Sequence, residues 1–133
     1  FFTALPTTVV VDHMGRPDVS QPIDGPEFAL FLKFMREHDN VWSKVSCPER
    51  LSVSGPPALN GERNAYRDVV PFARHVVESF PDRVLWGTDW PHPNVRHMPD
   101  DGDLVDLLAA FAPDEAVRNR ILVANPERLY DFG

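Results

Sequence analysis

Asp89, His13 and Arg50 are the side chains through which this sequence can act on a substrate, and each lies beyond a short extended run, Arg50 in the loop that follows it. Asp89 lies in Gly87-Thr88-Asp89-Trp90-Pro91-His92-Pro93, just past the apolar run Arg83–Thr88. A carboxylate there is ionised at neutral pH and can take a proton from water, and Trp86, Trp90 and Pro91 would wall it from bulk solvent. The plainer reading is a turn residue capping the next segment. His13 follows Val9-Val10-Val11-Asp12, and its imidazole could ligate a metal, polarise a carbonyl or bind a substrate carboxylate. Its plainer reading is a structural pair with Asp12. Arg50 offers the planar fork that grips a carboxylate with two parallel hydrogen bonds, although a lone loop arginine is more often a solvated charge.

The other candidates weigh less. His38, near a helix end, and His75, within a helix, read as structural or surface groups. His92 and His97 flank the loop after Asp89 and could border a pocket, but neither is expected to bind metal. The sequence has no His-x-His, His-Glu-x-x-His or paired cysteines, so it carries no complete metal motif, and it has no glycine-rich phosphate loop. Cys47 is a weak candidate nucleophile, because nothing nearby marks it as a thiolate.

The elements that must position these residues alternate. Thr8–Val11 is an unbroken apolar run, as expected of a strand covered on both faces. A helix is predicted from Asp24-Gly25-Pro26-Glu27, with Phe28, Phe31, Leu32 and Met35 on one stripe, to about His38–Asn40. Val41–Ser46 is the second strand, and Cys47 to about Asn64 reads as the longest irregular stretch. A second helix from about Tyr66 places Val69, Val70, Ala73, Val76, Val77 and Phe80 on one face. Arg83–Thr88 is the third strand. Helices at Asp103–Phe111 and Asp114–Ala124 follow, before Asn125–Tyr130.

This βαβαβαα order is an α/β pattern that implies right-handed crossovers and a parallel sheet. Polar chemistry at each strand end favours a barrel, whose sites lie at the C-terminal face of the strands. A whole barrel takes about 250 residues. With 133 residues, no initiator Met and a strand almost at once, the chain reads as a single domain portion, residues 1–133, of a larger barrel.

Composition narrows the function class. A net charge of −7 and the lack of any basic cluster argue against nucleic acid as partner. No apolar run approaches the ~20 residues that span a bilayer, and the first residues lack signal-peptide character. The single cysteine excludes an internal disulfide and suits a reducing, cytoplasmic setting.

Val10-Val11-Asp12-His13-Met14-Gly15-Arg16-Pro17, taken with Val84-Leu85-Trp86-Gly87-Thr88-Asp89-Trp90-Pro91-His92-Pro93-Asn94 and Met98-Pro99-Asp100-Asp101-Gly102, resembles the amidohydrolase-related family. The likeness is greatest to its lactonases of lignin-derived aromatic catabolism. The resemblance implies a TIM-like (β/α)8 barrel of which this chain supplies strands six to eight. It implies His13 at the end of strand six, Asp89 at the end of strand eight as general base, and Arg50 after strand seven holding a carboxylate. Arg63 and Arg67 compete for Arg50's role.

The implied substrate is a small dicarboxylate lactone, with His13 polarising its carbonyl or anchoring it, and with no cofactor or metal. The alternatives are a relative that binds one divalent metal such as Zn or Mn through His13 and Asp89, acting as lactonase or aromatic-acid decarboxylase, and a non-catalytic half-barrel that serves in assembly. The isolated piece is expected to be inactive and to be poorly stable or self-associate.

Overall fold

The computed structural model describes residues 4, 6–56 and 65–132. Strands β1 (Val9–Val11), β2 (Val41–Ser46) and β3 (Val84–Gly87) form one sheet in the order β1-β2-β3, with both pairings parallel. Val10 sits opposite Trp42, and Lys44 and Ser46 sit opposite Leu85 and Gly87. Side chains alternate across a strand. Val9, Val11, Val41, Val45, Val84 and Trp86 therefore share the face that joins the helical core. Trp42, Lys44, Ser46 and Leu85 point the other way. Burial extends to this face at Trp42 and Leu85, with the Arg128 guanidinium stacked over the Trp42 ring.

Helices α1 (Pro26–Glu37), α3 (Val70–Ser79) and α4 (Asp101–Phe111) pack on the core face. Phe28, Leu32 and Met35 of α1 and Phe72, Ala73, Val76 and Val77 of α3 are buried, as their spacing predicts. Each large side chain removed from water contributes about 1.5–3 kcal/mol, so these stripes hold the helices to the sheet. Asp100 and Asp114 cap the helices that follow them, accepting from the backbone N–H groups of Gly102 and Asp103 and of Ala116 and Val117.

Several boundaries depart from the sequence reading. The stretch after Cys47 is not wholly irregular: Pro48–Leu51 form a helical turn, α2. Helix α3 starts at Val70 rather than near Tyr66, because Pro71 fits only the first turn of a helix and Tyr66 holds a left-handed φ of 55°. After α5 (Glu115–Asn119) the chain stays helical through a wide turn at Arg120–Ala124 into α6 (Asn125–Tyr130). The wide turn places Pro126 at the start of a new ladder, where its missing N–H costs nothing.

The N-terminal ends of the strands are tied by hydrogen bonds. Arg83 donates through Nη1 to the carbonyls of Met35, His38 and Val41, and the buried Asn125 amide donates to Pro81 and Val84, both at 2.8 Å. The opposite ends carry the chemistry, the division of labour expected of a barrel. Among the described residues, no helix is long and apolar enough to cross a membrane.

Candidate active site

Beyond β1 the chain turns through successive left-handed residues, His13 (φ 55°), Met14 (56°), Gly15 (69°) and Arg16 (57°). This turn buries His13 at the end of the strand. A Cβ at Gly15 would stand 2.9 Å from a Phe31 ring carbon, so both the backbone angle and the packing require glycine. Beyond β2, Cys47 (φ 63°) turns the chain into α2, which carries Arg50 back over the strand end. Beyond β3, Asp89 (φ 64°) makes the same kind of reversal before a cis Trp90–Pro91 bond. The strand ends are hydrogen-bonded neighbours, so the three reversals converge.

Arg50 stands at the centre. Its Nη2 donates to Asp89 Oδ2 at 2.8 Å and to His13 Nε2 at 2.9 Å, while its Nε donates to the Cys47 sulfur. An arginine can only donate, so His13 Nε2 must accept, and the ring proton lies on Nδ1, which donates to Ser46 Oγ at 2.8 Å. Burial lowers the His13 pKa below its usual value, and the Arg50 charge adds to that against the opposing pull of Asp89. His13 is therefore neutral at pH 7. Asp89 Oδ1 stands 3.8 Å from His13 Nε2 and makes no hydrogen bond among the described residues, which leaves its lone pairs free for water. Burial pushes the Cys47 thiol up to about 12, so it is no nucleophile at neutral pH.

His13, Cys47 and Arg50 edge a cavity of about 680 Å³ that is also lined by Arg16, Asn94, Arg96 and His97, with Glu49 and residues of the 51–56 loop completing the wall, and Asp89 joins this lining through its contacts with Arg50 and Cys47. Three arginines facing one cavity in a chain of net charge −7 make a local anion site. The loop wall is fixed by Asp68, whose carboxylate accepts from the Ser52 and Ser54 hydroxyls and from the Val53 and Ser54 backbone. Burial pushes Asp68 up, but these bonds together hold its pKa below the usual carboxylate value. Tyr66, fully buried, stacks on His97 and meets its Nε2 at 2.8 Å.

The structure thus brings His13, Arg50 and Asp89 together. Arg67 is exposed in a separate depression between α3 and α4, and Arg63 lies outside the described residues. His97 borders the cavity, but His92 does not: it is buried behind it. His75 is exposed, edge-on to Phe28, and His38 leans on Phe34. Asp12 pairs with Lys44 at 2.8 Å rather than with His13. The expected aromatic wall is also absent, since Trp90 is 75% exposed and Trp86 packs toward the helices. Ser46, Glu49 and Asp68 were missed, because none stands in a motif and their roles arise from contacts distant in sequence.

The ligand atoms of His13, Cys47 and Asp89 lie within 4.8 Å of one another, a spacing a cation could use although no sequence motif announces it. The arrangement does not fit a metal. Arg50 Nη2 already occupies the gap between the His13 and Asp89 atoms, and a fixed guanidinium charge there opposes a second cation.

With this geometry, residues 1–132 match the family model described as amidohydrolase, and the chain belongs to that family. Its three parallel strands and their helices correspond to part of a (β/α)8 barrel. It is 76% identical over 131 residues to a 2-pyrone-4,6-dicarboxylate hydrolase of Comamonas testosteroni, covering 98% of this chain and 43% of that protein. It is 44% identical to a 4-sulfomuconolactone hydrolase of Rhizobium radiobacter, over 93% of this chain and 40% of the relative. A crystal structure from Acinetobacter baumannii with bound citric acid superposes with a TM-score of 0.77 at 25% identity, covering 98% of this chain and 46% of its own. The chain thus spans well under half the length of the curated relatives it matches.

Proposed function

We propose that this chain forms the Asp89 side of the active site of a lactonase that opens a carboxylated cyclic ester such as 2-pyrone-4,6-dicarboxylate. The observation that carries the reading is the Asp89–Arg50–His13 cluster at the ends of adjacent parallel strands, of which His13 and Arg50 line a cavity with three arginines. The relatives named as lactone hydrolases support the substrate class. The citric acid held by the Acinetobacter protein supports carboxylate binding on this scaffold.

Asp89 Oδ1 takes a proton from a water molecule as that water's oxygen attacks the lactone carbonyl carbon. The carbonyl oxygen becomes an oxyanion, and the summed positive field of the arginine-lined cavity stabilises it. As the intermediate collapses, the ring C–O bond breaks and the proton returns from Asp89 to the leaving oxygen. Arg50 Nη1, which makes no hydrogen bond among the described residues, is the group directed at substrate, and His13 anchors it from behind. Arg16 and Arg96 take the remaining carboxylate charge. We place the reaction without a metal, because Arg50 supplies the positive charge between His13 and Asp89. The setting we assign is cytoplasmic catabolism of lignin-derived aromatic compounds.

The test uses a complete barrel, made by exchanging this sequence for the matching stretch of the Comamonas relative. Hydrolysis of 2-pyrone-4,6-dicarboxylate is followed as loss of pyrone absorbance. Activity that resists chelator and falls by a factor of about 10²–10⁴ in Asp89→Asn is expected. Loss of activity on chelation would return the reading to a metal-dependent relative. Absence of hydrolysis would leave the fold and the assembly role.

A further inference from the structure

His92 does not line the cavity, yet its buried ring meets two carboxylates beside it. Its backbone N–H donates to the Asp89 carbonyl at 2.8 Å. Its ring Nε2 stands 3.0 Å from Asp101 Oδ1, at the first residue of α4, and its Nδ1 stands 3.4 Å from Glu49 Oε1. Glu49 is the residue before Arg50. Its side chain is fully buried, and Oε2 has no hydrogen-bond partner among the described residues. A carboxylate taken out of water needs a partner, and among the described residues His92 is the one that the Glu49 side chain meets. One buried ring thus joins the segment carrying Arg50, the segment carrying Asp89 and the N-terminus of α4.

That junction is where placement is most needed. Arg50 sits on a single helical turn after a left-handed Cys47, and Asp89 sits at a left-handed residue where the strand has already ended. Each segment has only a single turn of backbone hydrogen bonds of its own to hold it. We propose that His92, through Glu49 and Asp101, is a positioning residue that fixes the Arg50 segment against the Asp89 segment and so sets the 2.8 Å contact between them. The assignment rests on the catalytic use of Arg50 and Asp89 proposed above.

The experiment compares His92→Gln and His92→Asn with Val76→Ala, a core change in α3 remote from the site, all in the complete barrel and at matched loss of Tm. Two quantities are read: kcat and KM on the pyrone, and the rate at which iodoacetamide labels Cys47, followed on its peptide by mass spectrometry. Cys47 is buried against Arg50 and Asp89, so its labelling reports whether the cluster stays closed without any need for turnover. His92→Gln should lower kcat on the order of 10²-fold, as expected for a displacement near 1 Å, with a smaller change in KM. It should also label Cys47 faster than Val76→Ala does. His92→Asn, whose amide falls near the Nδ1 position and keeps the Glu49 contact, should recover part of both.

If His92→Gln and Val76→Ala behave alike in both readouts, His92 is only packing and the inference is overturned. If His92→Gln does not fold, His92→Asn against Val76→Ala decides on the same criteria. Should the parent barrel fail to hydrolyse the pyrone, the lactonase reading falls alone. Cys47 labelling then still supports or overturns the tie.

Discussion

Replacing Arg50 by Met tests the centre of the site, because the two side chains have similar reach and only the donors and the charge are lost. Two unit charges about 4 Å apart attract by ~4 kcal/mol at an effective dielectric near 20, but desolvation offsets much of this. A charged hydrogen bond nets ~1.5–3 kcal/mol. Since the Arg50 and Asp89 side chains remain 17% and 24% exposed, the lower half of that range applies, about 2 kcal/mol. In a barrel of about 250 residues this lowers Tm by roughly 4 °C. Loss of the Nη1 contact to a substrate carboxylate removes a similar energy from binding, which is about a 10- to 100-fold rise in KM for the dicarboxylate. The assay is kcat/KM for 2-pyrone-4,6-dicarboxylate beside a neutral lactone of the same ring, with Arg50→Lys as the charge-retaining control. The dicarboxylate should lose far more than the neutral lactone, and Lys should fall between, since it keeps the charge without the fork. Equal losses for both lactones, or an unchanged dicarboxylate KM, would refute a carboxylate-binding Arg50.

Asp68→Asn should cost about 1–2 kcal/mol and raise KM, because it loosens the wall at Ser52–Ser54. Asp68 has a lowered folded pKa, so its contribution is complete above the unfolded value of 3.8 and lost as pH falls through the folded value; denaturation at pH 7 against pH 3 should show the variant's deficit shrinking in acid. An equal deficit at both would show that the wall does not depend on the carboxylate. His13 carries a lowered basic pKa, so the unfolded chain binds more protons below 6.5, and stability is full above that value and declines as pH falls toward the folded one. His13→Asn should therefore flatten the stability profile below pH 6.5, measured as urea midpoints, and an unchanged slope would mean that His13 is not the group responsible.

Much of this was legible because local patterns have local causes. The stripe Phe28–Leu32–Met35 follows from helical periodicity alone, and the short unbroken apolar runs at Val9–Val11 and Val84–Trp86 mark two of the three strands. Asp89, His13 and Arg50 could be picked out because polar residues just beyond such strands have few structural uses. Misjudged boundaries had local causes too. The delayed start of α3 is set by Pro71 and the left-handed Tyr66, and the helical run through Pro126 needs a register change that periodicity does not record.

What the sequence alone determined was the order of elements, the parallel sheet and the residues able to act at its C-terminal edge, since those depend on period and residue type. The tertiary structure alone decided that Arg50 stands between His13 and Asp89, that Cys47 is buried and inert, and that His92 ties two loops from behind. Those facts depend on strand register and on left-handed reversals at His13, Cys47 and Asp89, which bring together side chains 33 to 43 residues apart. No spacing within a single element encodes such a meeting, because it is set by which strand ends lie side by side in space.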